Sequence, residues 1–555
     1  MRLAVSIVAA LLLATASCRS SDPPAPAAAL PEAARPASLV AELSLGNPKD
    51  TWQRLRRLGG DAVQALPSSL PVLLATSLSL PPAAAGSLDE TVPMVGVLLA
   101  RPGQSEPDAV LGVHVTSGAE LVASLTLGAA AKFRRLEVGP RVVRLVSAPG
   151  AAEFDGALGV SGNYLLLATR VEAMTEAGRY VAESVSKRAR NTPGITLRAS
   201  GSALSGALAR HLRAAWRAQR SALSARDQAE REAKGRAPDF ADPEVLLAGA
   251  DDMVESWLSV LESSRELSLG LSPDADRLRA ELLLAPNVDG AAALLFRELV
   301  VGSNAPLLEL PVGARIGLLL RGDPQPTPSS LGASVAKLLG DRLSAPQTAR
   351  LGKAFDDFAR SHRGATVLGL IPAPVPTLVV RCELSGDGAF SDSFAEVLSL
   401  IELPPVSGWL SRAVGKPSLE LTRSTTSARR ARIRFRRATT ARGLPLPQSL
   451  NVSFEARDGV GSIFVSADEL ADTGALSEQP RLGSLNWFAA SQQGMSGTTA
   501  LGLFADARLL APGGPDDAPI LLSFGKKAEQ VALGLEVSAP ALAAIARRFA
   551  LDRSP

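Results

Sequence analysis

Leu43-Ser44-Leu45-Gly46-Asn47-Pro48-Lys49-Asp50 alternates apolar and polar residues, breaks on Gly-Asn-Pro, and runs on to Leu55 and Leu58 at helical spacing. A period of two followed by a period near 3.6, with proline at the changeover, spells strand, turn, helix. The spacing recurs at Leu282-Leu283-Leu284-Ala285-Pro286-Asn287-Val288-Asp289, followed by Leu294 and Leu299. A looser copy runs from Val380 through Leu384 to Asp387, followed by Phe390, Phe394 and Leu398. Aspartate accepts hydrogen bonds from the free amides of a first helical turn, so each is expected as an N-cap.

A second unit is a hairpin feeding a helix. Ser161-Gly162-Asn163 makes the turn, Tyr164 to Ala168 the strand, and Thr169-Arg170-Val171-Glu172 reads as a capping box. Downstream, Asp458-Gly459 makes the turn, Ile463 to Ser466 the strand, and Ser466-Ala467-Asp468-Glu469 the box. The two units predict an α+β protein of two related halves, each a mainly antiparallel sheet with packed helices. The halves are placed at residues 39–310 and 311–555, with Leu310-Pro311-Val312-Gly313 as the joint. One insertion breaks the parallel: a helical hairpin over about 203–264, carrying Leu204, Leu208, Leu212 and Trp216 on its first apolar stripe and returning through Leu246, Met253, Trp257 and Leu261.

With 555 residues and 46% hydrophobic content, the chain has material for more than one core. Its 58 Lys and Arg nearly balance 55 Asp and Glu, a net charge of +3, so no global basic field argues for nucleic acid. Two cysteines make no disulfide framework, and Cys382, in the strand-like run from Thr377, is expected as a buried thiol packing like a small hydrophobe.

The N-terminus specifies an address. Met1 and Arg2 precede the apolar run Leu3 to Ala14, then Thr15-Ala16-Ser17-Cys18. A positive start, a run too short to span a bilayer and a small-residue end describe a secretory signal over 1–17. Arg19 to Ser38, rich in Pro and Ala, reads as a semi-extended tether over 18–38. Beyond it no apolar stretch approaches the ~20 residues of a membrane helix.

Thr15-Ala16-Ser17-Cys18 resembles the lipobox of bacterial lipoproteins, with Thr15 where that pattern carries an aliphatic residue. The resemblance implies lipid attachment at Cys18, and Arg19 in place of Asp implies the outer membrane, periplasmic or surface face. The other reading cuts after Ala14-Thr15-Ala16 and releases a soluble periplasmic protein from Ser17. The repeated strand-and-helix units resemble a loose class of uncharacterised exported bacterial lipoproteins.

Catalytic patterns are sparse. The three histidines, His114, His211 and His362, fall in unrelated contexts, and no metal-ligand spacing, nucleophile elbow or phosphate loop occurs. No cofactor or metal is expected. Ser-x-x-Lys occurs at Ser184 to Lys187 and Ser334 to Lys337, but the Lys-Thr-Gly that accompanies it in penicillin-binding enzymes does not. One strand-like run, Arg429 to Arg437, places Arg432, Arg434 and Arg436 on one face. These arginines are the candidate docking face for an anionic envelope component, with a charged sheet face guarding against aggregation as the alternative. The leading expectation is a non-enzymatic, membrane-anchored binding or scaffolding protein, with the envelope or another protein as partner. The alternatives are a carrier of an apolar or lipid-like ligand in a groove between sheet and helices, and a cryptic serine hydrolase built on Ser334 and Lys337.

Overall fold

The computed structural model describes residues 33–551 apart from 60–65, 79, 102–106, 128–131, 140, 148–155, 190–193, 235–242, 323–342, 373–374, 415–416, 424–427, 436–446, 468–475, 477–478, 486–497 and 508–517. The described residues are α+β: helices packed on one large antiparallel sheet. Its first strands are β1 (Leu39–Leu45), β2 (Met94–Leu99), β3 (Asp108–His114), β4 (Phe133–Gly139), β5 (Val142–Ser147), β6 (Ala157–Ser161), β7 (Tyr164–Ala168), β8 (Ile195–Ser200), β9 (Ser264–Pro273) and β10 (Arg277–Pro286). They are followed by β11 (Ile316–Arg321), β12 (His362–Ile371), β13 (Thr377–Leu384), β14 (Ser418–Arg423), β15 (Ala428–Arg434), β16 (Ser449–Arg457), β17 (Val460–Ala467), β18 (Thr499–Asp506), β19 (Pro519–Lys527) and β20 (Gln530–Ser538).

Read inward from one edge, the order is β4-β5-β6-β7-β3-β2-β1-β8-β9-β10. From the other edge it is β14-β15-β16-β17-β13-β12-β11-β18-β19-β20. The two runs meet where β10 pairs antiparallel with β20, from Arg277 opposite Ser538 to Leu284 opposite Val531. Local turn chemistry fixes the short connections. At the β16–β17 hairpin Asp458 and Gly459 take φ of 53° and 75°, the two left-handed residues a tight hairpin turn requires.

The helices used below are α1 (Pro48–Leu58), α2 (Leu70–Ser77), α3 (Gly118–Thr126), α4 (Val171–Tyr180), α5 (Ala209–Lys234), α6 (Pro243–Glu262), α7 (Ala291–Glu298), α8 (Ala305–Leu308), α9 (Ala345–Ser361), α10 (Asp387–Ser399) and α11 (Ala539–Leu551). Both faces of the sheet carry cores near its two edges. Toward the first edge, α2 and α3 bury Leu74, Leu121 and Leu125 against Leu111, Val113 and Leu165, while α4 buries Met174 and Ala177 against Val97, Val110 and Leu166 on the opposite face. Toward the second, Phe390 of α10 packs with Cys382, Phe454 and Ile463, and Leu307 of α8 with Leu319, Val367 and Phe504. Strands covered on both faces read as continuous apolar runs, as Tyr164 to Ala168 does.

Helices α5 and α6 lie side by side. Arg213 forks onto Glu262 at 2.6 and 3.0 Å, and Asp251 accepts from the Trp216 indole at 2.8 Å and from Arg220 at 2.7 Å. The Trp216 and Arg220 bonds hold the Asp251 carboxyl below the usual carboxylate range.

The recurrent aspartates are not the caps expected of them. Asn47, at φ 43°, is the N-cap of α1, and its side chain accepts from the amide of Asp50, which lies inside the first turn. Gly290 precedes α7, where Ser263 Oγ accepts from the Ala292 amide at 2.8 Å; α10 begins at Asp387 itself, after Gly386. Thr169 is also diverted. Its hydroxyl donates to Asp108 at 3.0 Å and accepts from the Ala109 amide at 3.1 Å, tying the end of β7 to β3. Spacing alone does not distinguish the residue before a helix from one inside it, and at α7 and Thr169 a partner distant in sequence takes up the bond.

Candidate functional site

The middle of the sheet differs from its ends. In β9, Leu267-Ser268-Leu269-Gly270-Leu271-Ser272 alternates strictly, and a period of two puts the leucines on one face and the small polar residues on the other. The neighbouring strands are registered so that their apolar residues join these leucines. One row across the sheet is Leu269, Leu282, Leu533, Phe524, Leu501 and Leu320, each beside the next. A second is Leu271, Ala280, Leu535, Leu522, Leu503 and Leu318. A third is Leu278, Val537, Ile520, Ala505, Ile316 and Leu370.

These rows form a trough. Adjacent strands lie about 4.8 Å apart, so the seven strands from β9 to β12 span about 29 Å, and rows two residues apart are separated by about 6.8 Å. At one strand end α6 and α7 bank it, through Val260 and Ala292 packed on Leu284 and Val531; at the other, Ala541 and Ala544 of α11 pack on Val537. Between the banks the rows stay partly open: Leu269 is 40% exposed, Leu320 39%, Leu535 37% and Leu533 36%. On the opposite face of the same strands Leu319, Phe504 and Leu521 are buried. No residue of the three rows is charged. Contiguous exposed apolar surface of this kind is characteristic of interaction sites and ligand grooves.

The α6–α7 bank is aromatic. Trp257, 47% exposed, meets the Phe524 ring edge-on at 6.1 Å, and Lys526 Nζ lies 4.9 Å from the centre of the Phe296 ring. Tryptophan and lysine both join an apolar body to a polar tip, which suits the rim between a greasy floor and water.

The residues singled out from sequence fall elsewhere. Cys18 and Arg436 lie outside the described residues, as do Ser334 and Lys337. Arg432 and Arg434 alternate with buried Ala431 and Ile433 on β15; Arg432 donates to Asn451 Oδ1 at 2.9 Å and Arg434 to Glu420 at 3.2 Å. Ser184 is buried within a helical turn that Lys187 follows on the next. Cys382 is buried under Phe390 and beside Gly461, and burial pushes its thiol up to about 12. His114 Nδ1 donates to the Asp89 carboxylate at 3.2 Å, whereas the His362 ring sits 4.3 Å from that of Phe358, in a separate core. Among the described residues no cluster of three or more His, Cys, Asp or Glu gathers to hold a metal, and no helix is long and apolar enough to cross a membrane.

No protein-family model, curated protein or solved structure matches this chain.

Proposed function

We propose that this chain is an exported, membrane-anchored lipoprotein that holds the acyl chains of a lipid-like ligand along the leucine trough. The observation that carries the reading is the set of three apolar rows left partly open between their helical banks. Its chemistry favours a hydrocarbon over a protein partner. Protein interfaces gather their energy in Trp, Tyr and Arg anchors with a polar surround, and leucine is under-represented among such anchors. The rows offer aliphatic carbon and almost nothing to hydrogen-bond. Each methylene moved from water onto such a surface contributes about 0.8 kcal/mol, so a chain laid across several strands accumulates affinity without any directional contact.

The anchor belongs to the same reading: acylated Cys18 and the Pro/Ala tether over 18–38 hold the body beside the outer membrane, the source or destination of such a ligand. The architecture is read as a duplication, residues 39–310 and 311–555, with the α5–α6 hairpin inserted between β8 and β9. Adding ten to each strand number of the first run reproduces the second, which supports that reading. The trough straddles the junction of the two runs.

The test is a titration of the mature chain, stripped of lipid in detergent and refolded, with a brominated fatty acid while tryptophan fluorescence is followed. Saturable quenching that is lost in Trp257→Phe is expected. Absence of saturable quenching overturns the carrier reading. Mass spectrometry of the mature N-terminus tests the anchor separately: an acylated Cys18 is expected, and an unmodified terminus at Ser17 defeats it.

A further inference from the structure

We propose that the opposite, polar face of the central strands is a second binding site, for a hydroxylated anion of the sugar-acid or sugar-phosphate kind; this inference stands independently of what occupies the trough. The face is a concavity of about 600 Å³ on β8, β9, β10, β20 and β19, within the range of small-molecule sites. It lies between the α4 core over β1–β3 and the α8 core, which spans β11 and β12 and reaches Leu521 on β19.

Its floor is excavated by small residues. Gly270 and Gly534 flank Glu281 in register, with Ser268 and Ser272 along β9 and Ser523 on β19. A Cβ on Gly270 would meet nothing nearer than the Glu281 carbonyl oxygen at 3.8 Å, so the missing side chain leaves real space. The serines present hydroxyls that both donate and accept, the complement of a polyol.

The walls supply positive charge that the local acids do not use up. Lys527 holds Glu281 at 2.5 Å, and Arg277 holds Glu536 at 2.5 Å. Arg279 stands between Asp274 and Glu536, its Nε 3.5 and 3.4 Å from their oxygens and buried without a hydrogen bond. The Arg198 side chain, exposed on β8 at the rim, has no ion pair or hydrogen bond among the described residues. Two guanidinium groups with donors to spare above a floor of hydroxyls select an anion, because guanidinium pairs with carboxylate or phosphate through parallel N–H bonds.

Calorimetric titration of the full mature chain at low salt, with glucuronate, glucose 6-phosphate and glucose as probes, decides the matter. At least one anionic sugar is expected to bind, with glucose at least tenfold weaker. Glucuronate alone assigns a carboxylate ligand, and glucose 6-phosphate alone a phosphate ester. Arg198→Gln/Arg279→Gln is expected to weaken binding at least tenfold, and Gly270→Phe to abolish it with every charge in place. Arg198→Gln alone, at an exposed unpaired position, keeps the test open should the other variants not fold. Failure of both anions to bind, equal binding of glucose, or unchanged binding by the folded variants overturns the proposal. Quenching at Trp257 by the brominated fatty acid reads the trough separately.

Discussion

Replacing Leu533 and Leu535 together by Thr should weaken binding of an acyl ligand while leaving the sheet folded. Both leucines sit on β20 in the middle of the trough, 36% and 37% exposed. Fully burying a leucine contributes about 1.5–3 kcal/mol, so a ligand covering the open third gains about 0.5–1.1 kcal/mol from each. For the pair that is about 1–2 kcal/mol, or about 5- to 30-fold in Kd. Threonine keeps a β-branched fit to the strand, and the stability lost is the already buried share, about 2–4 kcal/mol by the same scale. A matched control is Leu521→Ala, on neighbouring β19 but buried on the opposite face. It should cost about 2–5 kcal/mol of stability through its cavity and leave the ligand affinity unchanged. Competition against a fluorescent fatty acid gives Kd, and urea unfolding gives stability. A double variant within twofold of the parent, or a Leu521→Ala that weakens binding as much, would refute the assignment of the ligand to this face.

His362 gives a pH dependence of known sign. Burial holds its pKa below the ordinary histidine value, against the smaller opposing effect of its Nδ1 bond to the Phe358 carbonyl at 2.6 Å. The unfolded chain therefore takes up the proton more readily, and stability present above about pH 6.5 is lost as pH falls below that value and through the lower folded pKa; urea midpoints at pH 7.5 and 5.0 should differ less in His362→Gln than in the parent. Cys382, its thiol pushed up to about 12, should resist a thiol reagent at pH 8 in the native protein and react at once in denaturant. Gly461→Ala would drive a methyl to 2.7 Å from the Phe390 ring and 2.9 Å from Cys382 Sγ, and should destabilise the chain by about 1–3 kcal/mol in thermal or urea unfolding. Arg432→Gln/Arg434→Gln should reduce co-sedimentation with anionic vesicles if the β15 face docks there; unchanged sedimentation removes that role.

The alternation of strand and helix was legible because period and turn chemistry are local: the Asp458-Gly459 turn and the run Tyr164 to Ala168 carry their conformation in their own residues. Helix caps were less so, since Thr169 finds its partner sixty-one residues away at Asp108. The trough was out of reach for a stronger reason. Leu282 and Leu533 are neighbours only because β10 pairs with β20, and Leu501 and Leu320 only because β18 pairs with β11. The local signal existed in Leu267-Ser268-Leu269-Gly270-Leu271-Ser272, whose strict alternation forecasts a strand covered on one side alone. Which side remains open depends on where the helices land, and no local pattern carries that.

The central strands give their odd and even positions to different surfaces, and this has a consequence for how the protein can change. Removing one residue from the β9–β10 turn at Asp274-Ala275-Asp276 would either be absorbed in the turn or slip β10 by one place, sending Arg279 and Glu281 toward the oily side and Leu282 toward the polar one. Insertions and deletions within these strands therefore strike both surfaces at once. Substitutions reach one at a time, and they are the route by which either surface can drift in specificity while the other is kept.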